Sequence, residues 1–145
     1  MTNPLLAPAA LPRFDSIQAS HAEPAIRELI DRNKSRIEAL LDTPGPAEWS
    51  TVLQPIEDLE DELARAWAPV SHLNSVLNSE TIRAAYNACL PLLSEYNTWL
   101  GQHEKLYQAY QQVAESPAFE ALDPAQRRSV EIALRDFRLA GVALP

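Results

Sequence analysis

Glycine is nearly absent from this chain, with three residues in 145. A phosphate-cradling loop needs several glycines within a short stretch, so that kind of nucleotide site is excluded. Cysteine is scarcer still: Cys89 stands alone. No intramolecular disulfide can form, and the apolar helical pattern around Cys89 marks a small buried hydrophobe. A reducing compartment fits that usage. Histidine occurs only at His21, His72 and His103, and none has a partner four residues on. The local spacing of a zinc-ligand pair is therefore missing. Basic residues number 12 against 20 acidic ones, giving a net charge of −8. Phosphate backbones and anionic bilayers attract the opposite sign, so neither nucleic acid nor membrane is an expected partner. No apolar run approaches the ~20 residues of a membrane span. The opening "MTNPLLAPAALPRF" lacks the basic start and continuous apolar core of a signal peptide. A cytoplasmic location is expected.

Hydrophobic residues make up 46% of the chain, enough for a core, and the length suits one domain. Residues 1–19 read as an extended, proline-punctuated arm, and residues 20–145 as a helical domain. Ser20 with Glu23 fits a capping box, and Ile26, Leu29, Ile30, Ile37, Leu40 and Leu41 follow at helical spacing. "DTPGP" ends that helix. A second helix is expected over about Trp49–Trp67, with Pro69 breaking or bending its end. The third is the longest. Ser79 caps it, and one stripe holds Ile82, Tyr86, Cys89, Leu93, Tyr96, Leu100, His103, Tyr107 and Tyr110. Running to Glu115 it would span about 54 Å at 1.5 Å per residue, with a kink expected at Pro91. The fourth starts at Asp123, with Pro124 in the first turn and Gln126 completing a capping box, and ends at Gly141. No strand-like alternation of useful length occurs. The fold class is all-α: about four helices in an antiparallel bundle-like array, one of them long and kinked. The closing "GVALP" reads as a chain cut short of further elements.

Four features invite a chemical reading. "QHEKLYQAY" begins like a zinc-peptidase helix, but Tyr107 stands where the second histidine belongs. His103 shares a stripe with Leu100 and Tyr107, so a packed, hydrogen-bonded histidine is expected, with Glu104 turned to solvent or an ion pair. Glu57, Asp58, Glu60, Asp61 and Glu62 lack the loop spacing of a calcium site and read as a solvated helix face. The aromatic series Tyr86, Tyr96, Trp99, Tyr107 and Tyr110 reads as core first and as a peptide groove second. Ser71 beside His72 has no orienting third group. No catalytic, cofactor-binding or metal-ligating residue is assigned.

"PVSHLNSV", "LPLLSEYNTWLGQHEKLYQAY" and "IALRDFRLAGVAL" resemble the N-terminal region of the thimet oligopeptidase family of zinc metallopeptidases, as does "LLAPAALPRFDSIQASHAEPAI" near the start. The resemblance is collinear from Asn3 to Pro145. It implies an almost wholly helical, two-lobed protein whose channel admits short peptides. It also implies zinc, held by a His-Glu-x-x-His helix and a downstream glutamate far toward the C-terminus, where it would polarise the carbonyl and activate water. None of those residues is present here, and His103-Glu104 does not correspond to them. The implied cofactor, zinc, belongs to the full-length parent and not to this chain. The implied partners are the remainder of its own polypeptide, carrying the catalytic lobe, and short peptides. The implied role is channel wall and support. The alternative is a stand-alone helical module that binds a protein or peptide.

Overall fold

The computed structural model describes residues 19–77 and 79–142, so the expected extended arm lies outside the described residues apart from Ala19. Among them are five α-helices and no strand. They are α1 (Ala19–Leu41), α2 (Gln54–Leu77), α3 (Glu80–Gly101), α4 (Glu104–Glu115) and α5 (Pro124–Ala140). A π-helical turn at Trp49–Leu53 precedes α2, and a short 3₁₀ helix at Pro117–Ala121 precedes α5. No described helix is long and apolar enough to cross a membrane.

The all-α reading stands, with differences in detail. Ser20 lies inside α1, which already includes Ala19. Pro69 does not end α2, which continues through it to Leu77. The π turn has a local cause. Pro55 has no N–H to return to the carbonyl of Thr51, so the register shifts. The Leu53 N–H reaches the carbonyl of Glu48 and the Gln54 N–H that of Trp49, each five residues back. Ser79 Oγ accepts the Ile82 N–H at 3.4 Å and opens α3 as expected. The long third stripe is divided between α3 and α4, and its break falls at Gln102-His103, while α3 runs on through Pro91. The α5 caps match the sequence. Asp123 and Gln126 complete the reciprocal box, and Gly141 takes φ 86°, a left-handed conformation that glycine adopts without a Cβ penalty.

The chain forms two compact units, each discontinuous in sequence. Of the described residues, the first comprises those up to 35 and those within 59–96. Ala22, Ala25, Ile26, Leu29 and Ile30 of α1, Leu59, Leu63, Ala66, Val70 and Leu73 of α2, and Cys89 and Tyr96 of α3 form its core. One polar side chain, Asn33, is fully buried among them. The second unit comprises residues 36–58 and the described residues from 97 onward. Its core takes Ile37, then Val52, Leu53 and Ile56, then Leu106, Ala109, Tyr110 and Val113, and finally Val130, Leu134, Phe137 and Val142. In that unit Gly101 allows a close approach. A Cβ there would lie 3.2 Å from the Ala140 Cβ, tighter than ordinary contact. Gln102 Nε2 donates to the Ala140 carbonyl beside it.

Candidate functional site

In the second unit the His103-Glu104 pair opens α4, and its geometry is that of a helix cap. His103 has extended backbone, φ −81° and ψ 104°, and is the N-cap residue. Its Nδ1 accepts the Leu106 N–H at 3.2 Å, satisfying one of the helix's free donors. An accepting Nδ1 fixes the tautomer, so Nε2 carries the proton and donates to Glu38 Oε1 at 2.7 Å. The Trp99 ring meets the imidazole edge-on, with centroids 4.9 Å apart. Both ring nitrogens are thus engaged, and a metal could bind only by displacing the cap or the carboxylate bond. His103 is a packed, hydrogen-bonded histidine, as its stripe indicates, and Glu104 is exposed. Among the described residues no group of three or more His, Cys, Asp or Glu side chains could hold a metal ion.

The acidic run on α2 is more than a solvated face. Glu57 and Glu60 are half-buried, and each receives a buried tyrosine hydroxyl. In the second unit Tyr110 donates to Glu57 Oε1 at 2.9 Å. In the first unit Tyr96 donates to Glu60 Oε1. Asn33 Nδ2 donates to the Leu59 carbonyl at 3.1 Å and to the Tyr96 oxygen at 3.3 Å. Burial, then the charge of Glu60 and the hydrogen bond to it, push the Tyr96 hydroxyl far above the usual tyrosine range, with Asn33 opposing in part. The rest of the run is paired too. Asp58 accepts from Gln54, Asp61 meets Arg65 at 2.7 Å, and Glu62 meets Arg32 at 2.6 Å. None of this resembles an oxygen cage for calcium.

The aromatic series is divided between the units, and most of it is packing. Tyr86 stacks on Trp67 with centroids 5.1 Å apart. Tyr107 and Tyr110 tilt against Phe137 at 5.5 and 5.7 Å. Tyr107 is half-buried, whereas Tyr96 and Tyr110 are buried. Cys89 is fully buried, and desolvation, followed by the charge of Glu23, raises its thiol above the usual range, with Arg27 opposing. It is an inert core side chain. A cleft of about 410 Å³ in the second unit is lined by Leu40, Pro44, Val52, Lys105, Ala109 and Gln112, among others. Gln112 ties the 42–48 turn to α4 by accepting the Ala47 N–H at 2.9 Å, and Lys105 pairs with Asp42 at 3.3 Å.

Comparison with known proteins supplies what these side chains do not. The family described as "Neurolysin/Thimet oligopeptidase, N-terminal domain" matches residues 26–145. Oligopeptidase A of Escherichia coli (strain K12) is 45% identical over all 145 residues of this chain, which cover 21% of that protein. Oligopeptidase A of Haemophilus influenzae is 46% identical over 99% of the chain and 21% of its own length. The organellar oligopeptidase A of Arabidopsis thaliana is 34% identical over 99% of the chain and 18% of its own length. The chain therefore spans about one fifth of the length of the relatives it matches.

Proposed function

This chain belongs to the neurolysin/thimet oligopeptidase family, as its N-terminal domain, and on that premise we propose that it serves a cytoplasmic, zinc-dependent endopeptidase of short peptides. In this reading residues 20–145 act as one helical domain, residues 1–19 lead into it, and the domain contributes channel wall and support to a catalytic lobe. The observation that carries the reading is the end-to-end match to oligopeptidase A relatives, about five times as long as this chain.

The described residues do not fit the family's metal. His103 has both nitrogens occupied by structural bonds, and no cluster of three ligands forms. Zinc, the nucleophilic water and the peptide-cleaving groups are assigned to polypeptide outside this chain, and no chemical step is assigned to any residue here. What the chain supplies is packing. Two tyrosine–glutamate anchors and a capped α4 hold its side of the structure in place.

The test is cleavage of a short quenched-fluorescent peptide by the longer polypeptide, with and without residues 1–145. The proposal expects zinc-dependent cleavage by the complete polypeptide. It also expects loss of cleavage, or of the upper limit on substrate length, when residues 1–145 are removed. Full activity with an unchanged length limit after removal would replace the support role with that of an interaction module.

A further inference from the structure

The outer face of α5 stands out from the rest of this acidic chain. Arg128, Ile132, Arg135 and Leu139 recur at intervals of four, three and four residues, which places them in one row along the helix. The row lies opposite Val130, Leu134 and Phe137, the buried face of the same helix. Leu139 is 79% exposed and Ile132 36%, although both are large aliphatic side chains. The helix carries four arginines and two carboxylates, while the whole chain has a net charge of −8. Arg135 forms an ion pair with its neighbour Asp136 at 3.8 Å, and Arg127 one with Glu120 at 3.5 Å. Arg128 and Arg138 make no ion pair among the described residues.

We infer that this row is a docking face for a segment of the same polypeptide beyond residue 145, a helix with an apolar stripe flanked by Asp or Glu. The inference rests on the reading of the chain as the N-terminal domain of a longer peptidase. Two observations select this occupant. The relatives continue for roughly four fifths of their length beyond the matched domain, and α5 is the last described helix, so its outer face is the nearest in sequence to that continuing polypeptide. A second copy packing its row antiparallel about a dyad would set Arg128 beside Leu139 and Arg135 beside Ile132, and the row holds no carboxylate to pair with the arginines. An acidic helix instead offers partners to the unpaired guanidiniums while its apolar stripe covers Ile132 and Leu139.

The experiment uses the complete polypeptide. Leu139→Cys is introduced, and separately Ile132→Cys, and the rate of maleimide modification is compared in native and in urea-unfolded protein. Cys89 is fully buried, so its own labelling in the native state is expected to be slow. A covered face gives native labelling at least about 100-fold slower than unfolded, as for groups that react only through local opening. Native rates within a few-fold of the unfolded rate, for either variant in a polypeptide that remains folded, overturn the inference. Protection that disappears on dilution assigns the face to a second copy and overturns it as well. Arg128→Glu in the same backgrounds should accelerate labelling about tenfold or more, since it repels an acidic partner. No acceleration rejects the acidic character of the occupant. Peptide cleavage by the unsubstituted polypeptide reads the functional assignment separately. An active enzyme with fast labelling keeps that assignment and discards the docking face, and an inactive one with slow labelling does the reverse.

Discussion

Tyr96 shows how much one side chain can be asked to do. It is fully buried, its hydroxyl donates to Glu60, and it receives a hydrogen bond from Asn33, the buried polar residue of the first unit. Tyr96→Phe removes the donor and leaves Glu60 half-buried without it, at a cost of about 1–3 kcal/mol for a hydrogen bond to a charged group. The pH dependence has a definite sign. Burial and Glu60 hold this proton more tightly in the folded chain than in the unfolded one. The resulting stability is complete below the unfolded value of about 10 and falls above it, by up to about 1.4 kcal/mol per pH unit. Urea melts from pH 8 to 11.5 should show that fall in the parent and a flatter profile in Tyr96→Phe. Equal slopes would show that the hydroxyl is not the titrating group. Tyr110 and Tyr107 separate in the same way. Tyr110→Ala should cost about 3–5 kcal/mol and Tyr107→Ala less, because Tyr110 is buried and Tyr107 only half so. Denaturant midpoints that rank the two variants in the opposite order would reverse this assignment. These roles were poorly legible in the sequence. The acidic run on α2 looks solvated because the groups that hold Glu60 and Glu57 lie 36 and 53 residues away.

At the scale of elements, three-four spacing found the helices but not all of their boundaries, and the break between α3 and α4 is the instructive miss. Leu100, His103, Tyr107 and Tyr110 stay in step across the α3–α4 junction, so periodicity alone reads one rod. The break is made by things periodicity does not register: a histidine turned into a cap, and a glycine whose missing side chain lets Ala140 approach. The caps with ordinary signatures, Ser79 and the Asp123–Gln126 box, were legible because their partners are three residues away. His103 is not among the preferred capping residues, and only its geometry reveals the role. His103→Ala should cost about 1–2 kcal/mol through the lost cap. His103→Asn keeps an oxygen for the Leu106 N–H and should recover about half of that loss or more. Urea midpoints and amide exchange at Leu106 check both. Equal losses for the two variants would place the energy in the Trp99 and Glu38 contacts and not in the cap.

At the scale of the molecule, class and family were legible while the organisation of the core was not. The absence of strand alternation and the collinear motifs settle an all-α family member. Nothing local announces that α1, α2 and α3 each contribute to two compact units, because a helix continues unchanged where its packing partners change. Among the described residues no group of three or more His, Cys, Asp or Glu side chains could hold a metal ion. A zinc ion in such an enzyme takes about three protein ligands, and His103, the one histidine beside a glutamate in a zinc-like motif, has its Nδ1 on a backbone donor and its Nε2 on Glu38. Binding there would forfeit the α4 cap and leave a single imidazole as ligand. The 145-residue chain, dialysed against a weak chelator, should therefore retain well under about one zinc per chain and leave a quenched-fluorescent peptide intact. Metal analysis and the cleavage assay together check this. Stoichiometric zinc that disappears on His103→Ala would mean that the cap yields to metal, and the catalytic assignment would then have to move into this domain. Zinc retained equally by His103→Ala would point to ligands outside the described residues.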